Sequence, residues 1–254
     1  MKNLFFLAIT ICLLTTSCNV EKGEGPIVTE ELNIQNFAKF VLDSSFDVYI
    51  TQGNEQKVEA KGQANIINAL KTNVNNNTFT GDLKNGAYSE FDLTMYITVP
   101  DLESIVNDGS GTIFLTSLTT EDLDLKISGS GDIKVSDLLD IEDETKLEID
   151  GSGNLDITEL QTKDVYIDID GSGEIFLTGA ADDAELNLDG SGDFVGFTFE
   201  CNNYTVNSDG NGDAEIFVNN ELVVNIDGSG DVKYKGDPNI QVSDDGSGRL
   251  IDAN

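Results

Sequence analysis

The sequence predicts an all-β fold, a parallel β-helix (solenoid) of about 20-residue coils with a Gly-Ser-Gly corner in each coil. Three observations carry that prediction. The first is a repeat: the tripeptide returns eight times, with first glycines at Gly109, Gly129, Gly151, Gly171, Gly190, Gly210, Gly228 and Gly246. Successive intervals are 20, 22, 20, 19, 20, 18 and 18 residues, and one copy departs in wording (Gly210-Asn211-Gly212). A unit that short cannot enclose a core of its own, so each must bury its apolar face on the next.

The second observation is a pair of apolar columns. Four residues before each first glycine stand Ile105, Leu125, Leu147, Ile167, Leu186, Val206, Val224 and Val242; four after it stand Ile113, Ile133, Leu155, Ile175, Phe194, Ala214, Val232 and Leu250. The third is the polarity between them, as at Lys126, Glu148, Asp168 and Asn187. Alternation with period two marks strands with one face inside. The column two before the corner is mostly apolar as well, broken by Asn107, Ser208 and Asp244. No long helical period separates the strands, which excludes a doubly wound α/β fold.

The alternation keeps step through the corner. Gly111, Gly131, Gly153, Gly173, Gly192, Gly212, Gly230 and Gly248, like the first glycines, fall on inward positions with the middle residue pointing out. The expectation is that the inner side of a tight corner has no room for a Cβ, and that glycine supplies whatever φ the bend needs. Eight corners at strand spacing would form a ridge of about 34 Å on a coil with three short sides.

Composition bounds the partners. The 254 residues carry 14 Lys plus Arg against 47 Asp plus Glu, a net charge of −33, with 39% apolar residues. Such a surface repels nucleic acid and anionic headgroups, while the apolar fraction is ample for a core. There is no His, so acid–base work would fall mainly to carboxylates.

Residues 1–17 read as a leader: Lys2, then an apolar run from Leu4 to Leu14 too short to span a bilayer. Small residues before Cys18 make it resemble a bacterial lipoprotein signal, in which Cys18 becomes lipidated and ties the chain to a membrane. The usual leucine lies one place early, at Leu14. The alternative is an ordinary secretory signal. Residues 18–30 read as a polar tether, and 31–254 as the β-helix domain: irregular N-terminal coils over 31–104, regular ones over 105–254. Within 31–104 the strands are sought around 46–50, 56–60 and 91–98, with a helical turn between Asn65 and Lys71 and a polar loop over 73–77. Asp43-Ser44-Ser45-Phe46-Asp47-Val48 is a worn copy of Asp227-Gly228-Ser229-Gly230-Asp231-Val232, so this third reads as first coils capping the stack. A separate small β domain is the alternative.

Repeated Asp-Gly-Ser-Gly after alternating strands, Phe46-Asp-Val-Tyr-Ile-Thr-Gln-Gly53, Thr98-Val-Pro-Asp-Leu102 and Tyr234-Lys-Gly-Asp-Pro238 together resemble the family of putative auto-transporter adhesins, head GIN domain. The likeness covers roughly residues 31–252. It implies a β-helical fold on a Gram-negative cell envelope and, by name, adhesion; it brings no catalytic residues.

Two polar columns flank the corner. Just before it stand Asp108, Ser128, Asp150, Asp170, Asp189, Asp209, Asp227 and Asp245; just after it, Asp132, Asn154, Glu174, Asp193, Asp213 and Asp231. Charges about 4.8 Å apart repel by roughly 1 kcal/mol even in water. One expectation is an Asx-turn, each Asp accepting the N–H two residues on. The other is calcium, held by Asp150, Asp170, Asp189, Asp209 and Asp227 from successive coils; no other cofactor is expected. Uniform columns lack the singular place that an active site needs, so no catalytic residue is assigned. Cys201 reads as a buried structural thiol. Phe114 and Phe176, on outward positions five past the corner, are either ligand-stacking residues or ordinary surface phenylalanines.

Three functions follow in order. The first is a non-enzymatic, lipid-anchored outer-membrane protein, facing periplasm or surface, that displays a site for a glycan or protein. The second is a structural envelope component without a dedicated ligand, and the third a carbohydrate-active enzyme.

Overall fold

The computed structural model describes residues 20–254. The predicted leader, and Cys18 with it, lies outside the described residues. From Ser104 onward the chain winds as a right-through stack of parallel rungs, and the two sequence columns coincide with its register. Before the corner, Ile105 pairs with Leu125, then Leu147, Ile167, Leu186, Val206, Val224 and Val242 in turn. After it, Ile113 pairs with Ile133, Leu155, Ile175, Phe194, Ala214, Val232 and Leu250. A third ladder, Leu118–Thr120 against Leu139 to Ile141, closes the coil. Ile105 through Val224 and Ile113 through Val232 are fully buried, forming one continuous apolar rod. Each such aliphatic side chain contributes about 1.5–3 kcal/mol on leaving water.

The N-terminal third continues the same stack, but out of chain order. Lys39–Leu42 and Asp47–Gln52 form a coil directly beneath Ser104–Asn107 and Ile113–Leu115. Its corner is the worn copy at Ser44 and Phe46. Beneath that coil lie Thr78–Gly81 and Leu93–Val99, which come later in sequence. The chain therefore descends one rung and then climbs past its own first coil to start the regular repeat. Lys57–Gln63 pairs antiparallel with Leu93–Val99, and Ile27–Leu32 pairs antiparallel with Lys57–Gln63, so a short antiparallel sheet caps this end. A single helical turn, Ala64–Ile67, buries Ile66 and Ile67 against the same end.

Two local expectations change. The polar run 73–77 is a tight hairpin: Val74–Asn75 pairs with Thr78 and Phe79, and Asn76 and Asn77 take φ of 49° and 65°. Asparagine tolerates that left-handed region, which matches the twist of a two-residue hairpin. Of the stretch 18–30 expected as a tether, residues 20–22 and 27–30 lie in strands, with 23–26 unpaired between them. Val20–Lys22 runs parallel to Ala87–Ser89, and Ile27 begins the capping strand. The signal missed there is the Ile27-Val28 pair, in which Val28 packs against the core while Ile27 is exposed, too short for a clear alternation.

Candidate functional site

The corners stack as a single ridge, for a reason sharper than an inward lack of room. An ideal Cβ on any of the sixteen corner glycines would lie 1.8–2.3 Å from a backbone oxygen of the rung beneath, as Gly171 meets the carbonyl of Gly151. Under the first glycine of each corner the same oxygen accepts the middle residue's N–H, for example Ser172 N–H to Gly151 O at 3.0 Å. None of these glycines has positive φ; within the coils that conformation belongs to Gly179 and Gly236 at other bends. Close stacking, and not backbone dihedral freedom, requires glycine here. The exception is informative. Ser44 and Phe46 carry side chains at these positions because the rung beneath has no corner there: between Gly81 and Leu93 the chain leaves the stack as the segment 82–92, which carries the short strand Ala87–Ser89.

That hydrogen bond overturns the Asx-turn expectation, since the serine N–H is already donated to the neighbouring coil. Of the two columns beside the corner, the one with a backbone role is the one after it. Asp47 accepts from Thr112 N–H, Asp132 from Asn154, Asn154 from Glu174, Asp193 from Asp213, Asp213 from Asp231 and Asp231 from Arg249, all at 2.8–3.0 Å. A short side-chain acceptor at this position stitches each rung to the next. Asn107, which broke the apolar column, is fully buried: its amide donates to Gly111 O and Asp132 O, and its oxygen accepts from Gly109 N–H.

The aspartates proposed for calcium stand in single file, one per rung. Asp150 bonds Lys126 at 2.6 Å, which holds the lysine above its ordinary pKa. Burial, then the charges of Asp170 and Asp209, raise the pKa of Asp189. Among the described residues no group of three or more carboxylate or thiol side chains converges as a metal cage. Asp124 and Glu148, on adjacent rungs, are two carboxylates whose pKa values are moved in opposite directions. Burial and then the Glu148 charge push Asp124 up; Glu148 is also raised by burial, but bonds from Lys146 and Lys126 bring it down on balance. They lie on an outer face where Lys126 and Lys146 both pair with Glu148. Cys201 is buried and its pKa is pushed up to about 12, chiefly by that burial, which makes it a structural thiol.

The outward column five past the corner differs from the rest. Out-of-order stacking brings Tyr96, Tyr49 and Phe114 onto three successive rungs. Tyr96 and Tyr49 stack with centroids 5.4 Å apart and planes at 18°; Tyr49 and Phe114 stack at 4.7 Å and 11°. Both tyrosines remain about 40% exposed. The next rungs carry Lys134 and Asp156, joined at 3.2 Å, with Lys134 also 3.5 Å from Asp132. Between Phe114 and this ion pair opens a cleft of about 480 Å³, also lined by Ser136 and Thr158. Phe176 sits two rungs beyond Lys134, exposed and apart from the stack. Sequence reading selected Phe114 but missed both tyrosines. The worn copy could have yielded Tyr49, which has Phe114's offset from its corner; no local signal places Tyr96.

Residues 36–143 and 139–238 both match the family described as putative auto-transporter adhesin, head GIN domain. The chain belongs to that family. Among solved structures, this head-domain chain is similar to a putative adhesin from Parabacteroides distasonis, with a TM-score of 0.83 and 22% identity over 90% of this chain and 98% of that one. A putative lipid binding protein from the same organism superposes with a TM-score of 0.81 at 22% identity, covering 91% and 99%. A putative adhesin from Parabacteroides merdae gives 0.79 at 22%, again over 91% and 99%. At such identity these likenesses establish the head-domain fold alone. None of the functionally curated proteins compared with it is significantly similar. Among the described residues no helix is long and apolar enough to cross a membrane.

Proposed function

We propose that this head-domain protein is a non-enzymatic binding scaffold of the bacterial cell envelope, with the Tyr96–Tyr49–Phe114 ladder as its contact surface. One observation carries the reading: three rings stack on successive rungs of the outer face, with both tyrosines exposed and Phe114 half-buried at the end of the stack. Exposed contiguous aromatic surface is costly to keep in water and commonly marks an interaction site. Family membership supports adhesion in the broad sense. The regular columns elsewhere supply rigidity and charge, and none of them assembles nucleophile, base and oxyanion donors about one point.

In this proposal Cys18 carries the lipid that ties the chain to the outer membrane. Val20–Lys22 pairs with Ala87–Ser89, so the chain enters at the same end of the stack as Tyr96. The acidic surface favours a neutral or basic target over nucleic acid or anionic lipid.

The test is binding of the purified protein to immobilised envelope polysaccharides and host-surface glycoproteins, beside a Tyr49→Ala/Phe114→Leu variant. Saturable binding that the variant loses, at an unchanged fold by circular dichroism, supports the reading. Binding that survives the double change, or no binding to any member of the panel, contradicts it.

A further inference from the structure

We infer that the cleft between Phe114 and the Lys134–Asp156 pair is a saccharide subsite that takes a neutral pyranose ring of a glycan. This rests on the proposed binding role of the ladder and names the chemistry of what it binds. The ladder closes most of its own ring faces, because Tyr49 is sandwiched between Tyr96 and Phe114. Phe114 ends the stack. Its neighbour on the following rung is Lys134, whose ammonium is turned toward Asp156 and Asp132. The resulting cleft, about 480 Å³, falls within the roughly 300–1,000 Å³ usual for small-molecule sites.

Its two ends differ in kind. Most of the lining is apolar, with Tyr49 and Phe114 at one end and Leu115 and Val135 along the floor; at the far edge stand the Lys134 ammonium, the Asp156 carboxylate, Ser136, and Thr158, whose hydroxyl donates to the Val135 carbonyl. A pyranose has the matching division, an axial C–H face that packs on an aromatic ring and an equatorial rim of hydroxyls. Those hydroxyls donate to Asp156 and accept from Lys134, bonds to charged groups that exceed neutral ones in strength. The aromatic contact supplies orientation.

Other occupants fit less well. The rod interior is filled by fully buried side chains, and the cleft is an open groove, so it offers no enclosed channel for an acyl chain. Ile113–Leu115 is paired on both edges, with Val48 to Ile50 and with Ile133 to Val135, so no free strand edge invites a peptide. Asp132 and Asp156 beside the cleft, in a chain of net charge −33, disfavour uronates and sulfated sugars.

Saturation-transfer NMR and calorimetry on the purified protein test this with maltohexaose, cellohexaose, mannohexaose, galactohexaose and, as the charged counterpart, hexagalacturonate. At least one neutral oligomer should bind, with transfer to its axial ring protons, and hexagalacturonate should bind at least tenfold more weakly. Phe114→Leu and Asp156→Asn should each weaken the neutral oligomer about tenfold while leaving the melting temperature within a few degrees. Equal binding of the charged oligomer, retention of affinity in both variants, or no binding by any neutral oligomer overturns the assignment. If the protein still captures an immobilised glycoprotein through Tyr49 and Phe114, and these sugars do not compete, the saccharide assignment fails while the ladder's role stands.

Discussion

The carbonyl oxygen of Gly151 lies 2.0 Å from the place a Cβ on Gly171 would occupy, and it accepts the N–H of Ser172 at 3.0 Å. One atom thus both supports the corner above it and forbids a side chain there. Gly171→Ala must push two rungs apart or break that bond, and the expected loss is more than about 3 kcal/mol. Ser172→Ala, one residue on and pointing outward, should melt within about 0.5 kcal/mol of the parent. Thermal denaturation of the two variants checks the contrast.

Asp213 accepts the Asp231 N–H at 2.8 Å, in the acceptor ladder that links rungs. Asp213→Ala removes it and is expected to destabilise by about 1 kcal/mol, below the roughly 1.5–3 kcal/mol of a bond to a charged group because the site is half exposed. Asp213→Asn keeps the acceptor and should restore most of the loss. Denaturant unfolding of both variants measures this; equal losses would contradict the ladder's role.

Asp124, Asp168 and Asp189 have folded-state pKa values raised, each chiefly by burial and then by neighbouring carboxylates. A raised carboxylate binds protons more readily folded than unfolded, so its penalty is present at neutral pH and relieved as pH falls through the folded value. Glu148 is lowered on balance by its lysines despite burial. Asp231 is lowered by Arg249, and Asp252 by bonds from Asn254. Their contribution is lost when pH falls through those lower values. The melting temperature should therefore rise on mild acidification from neutrality and drop again below the ordinary carboxylate range. A steady fall from neutrality downward would contradict the assignment.

The single-file aspartates predict a response to charge screening more than to cation identity. At matched ionic strength, millimolar calcium and magnesium should raise the melting temperature about equally, since the Debye length shortens alike for both. A calcium-selective rise, reversed by chelator, would mean that successive rungs assemble a true cage after all.

The repeat exposed most of the fold because a solenoid writes each contact twice, as period two along a strand and as period twenty between coils. Ile167 and Leu186 could be paired from spacing alone, and so could every corner. The cause of the corner could not, since the Gly151 oxygen that excludes a Cβ belongs to another rung. Asp150 and its column looked like the structural acids; the stitching acids are Asp193, Asp213 and Asp231, and only the direction of an N–H distinguishes them. Least legible was the ladder. Tyr96 joins Tyr49 and Phe114, stacking on Tyr49, because the chain places Leu93–Val99 beneath Asp47–Gln52, a reversal of order that leaves no periodic trace.

Hydroxyl-radical footprinting of the protein, free and bound to a captured envelope or host-surface target, tests the central claim most directly. The expected result is protection of Tyr49, Tyr96 and Phe114, with Tyr166 on a different outer face unchanged. Protection confined to the corner ridge around Asp170, Asp189 and Asp209, with all three ladder rings still reactive, would place the binding surface elsewhere and contradict the account.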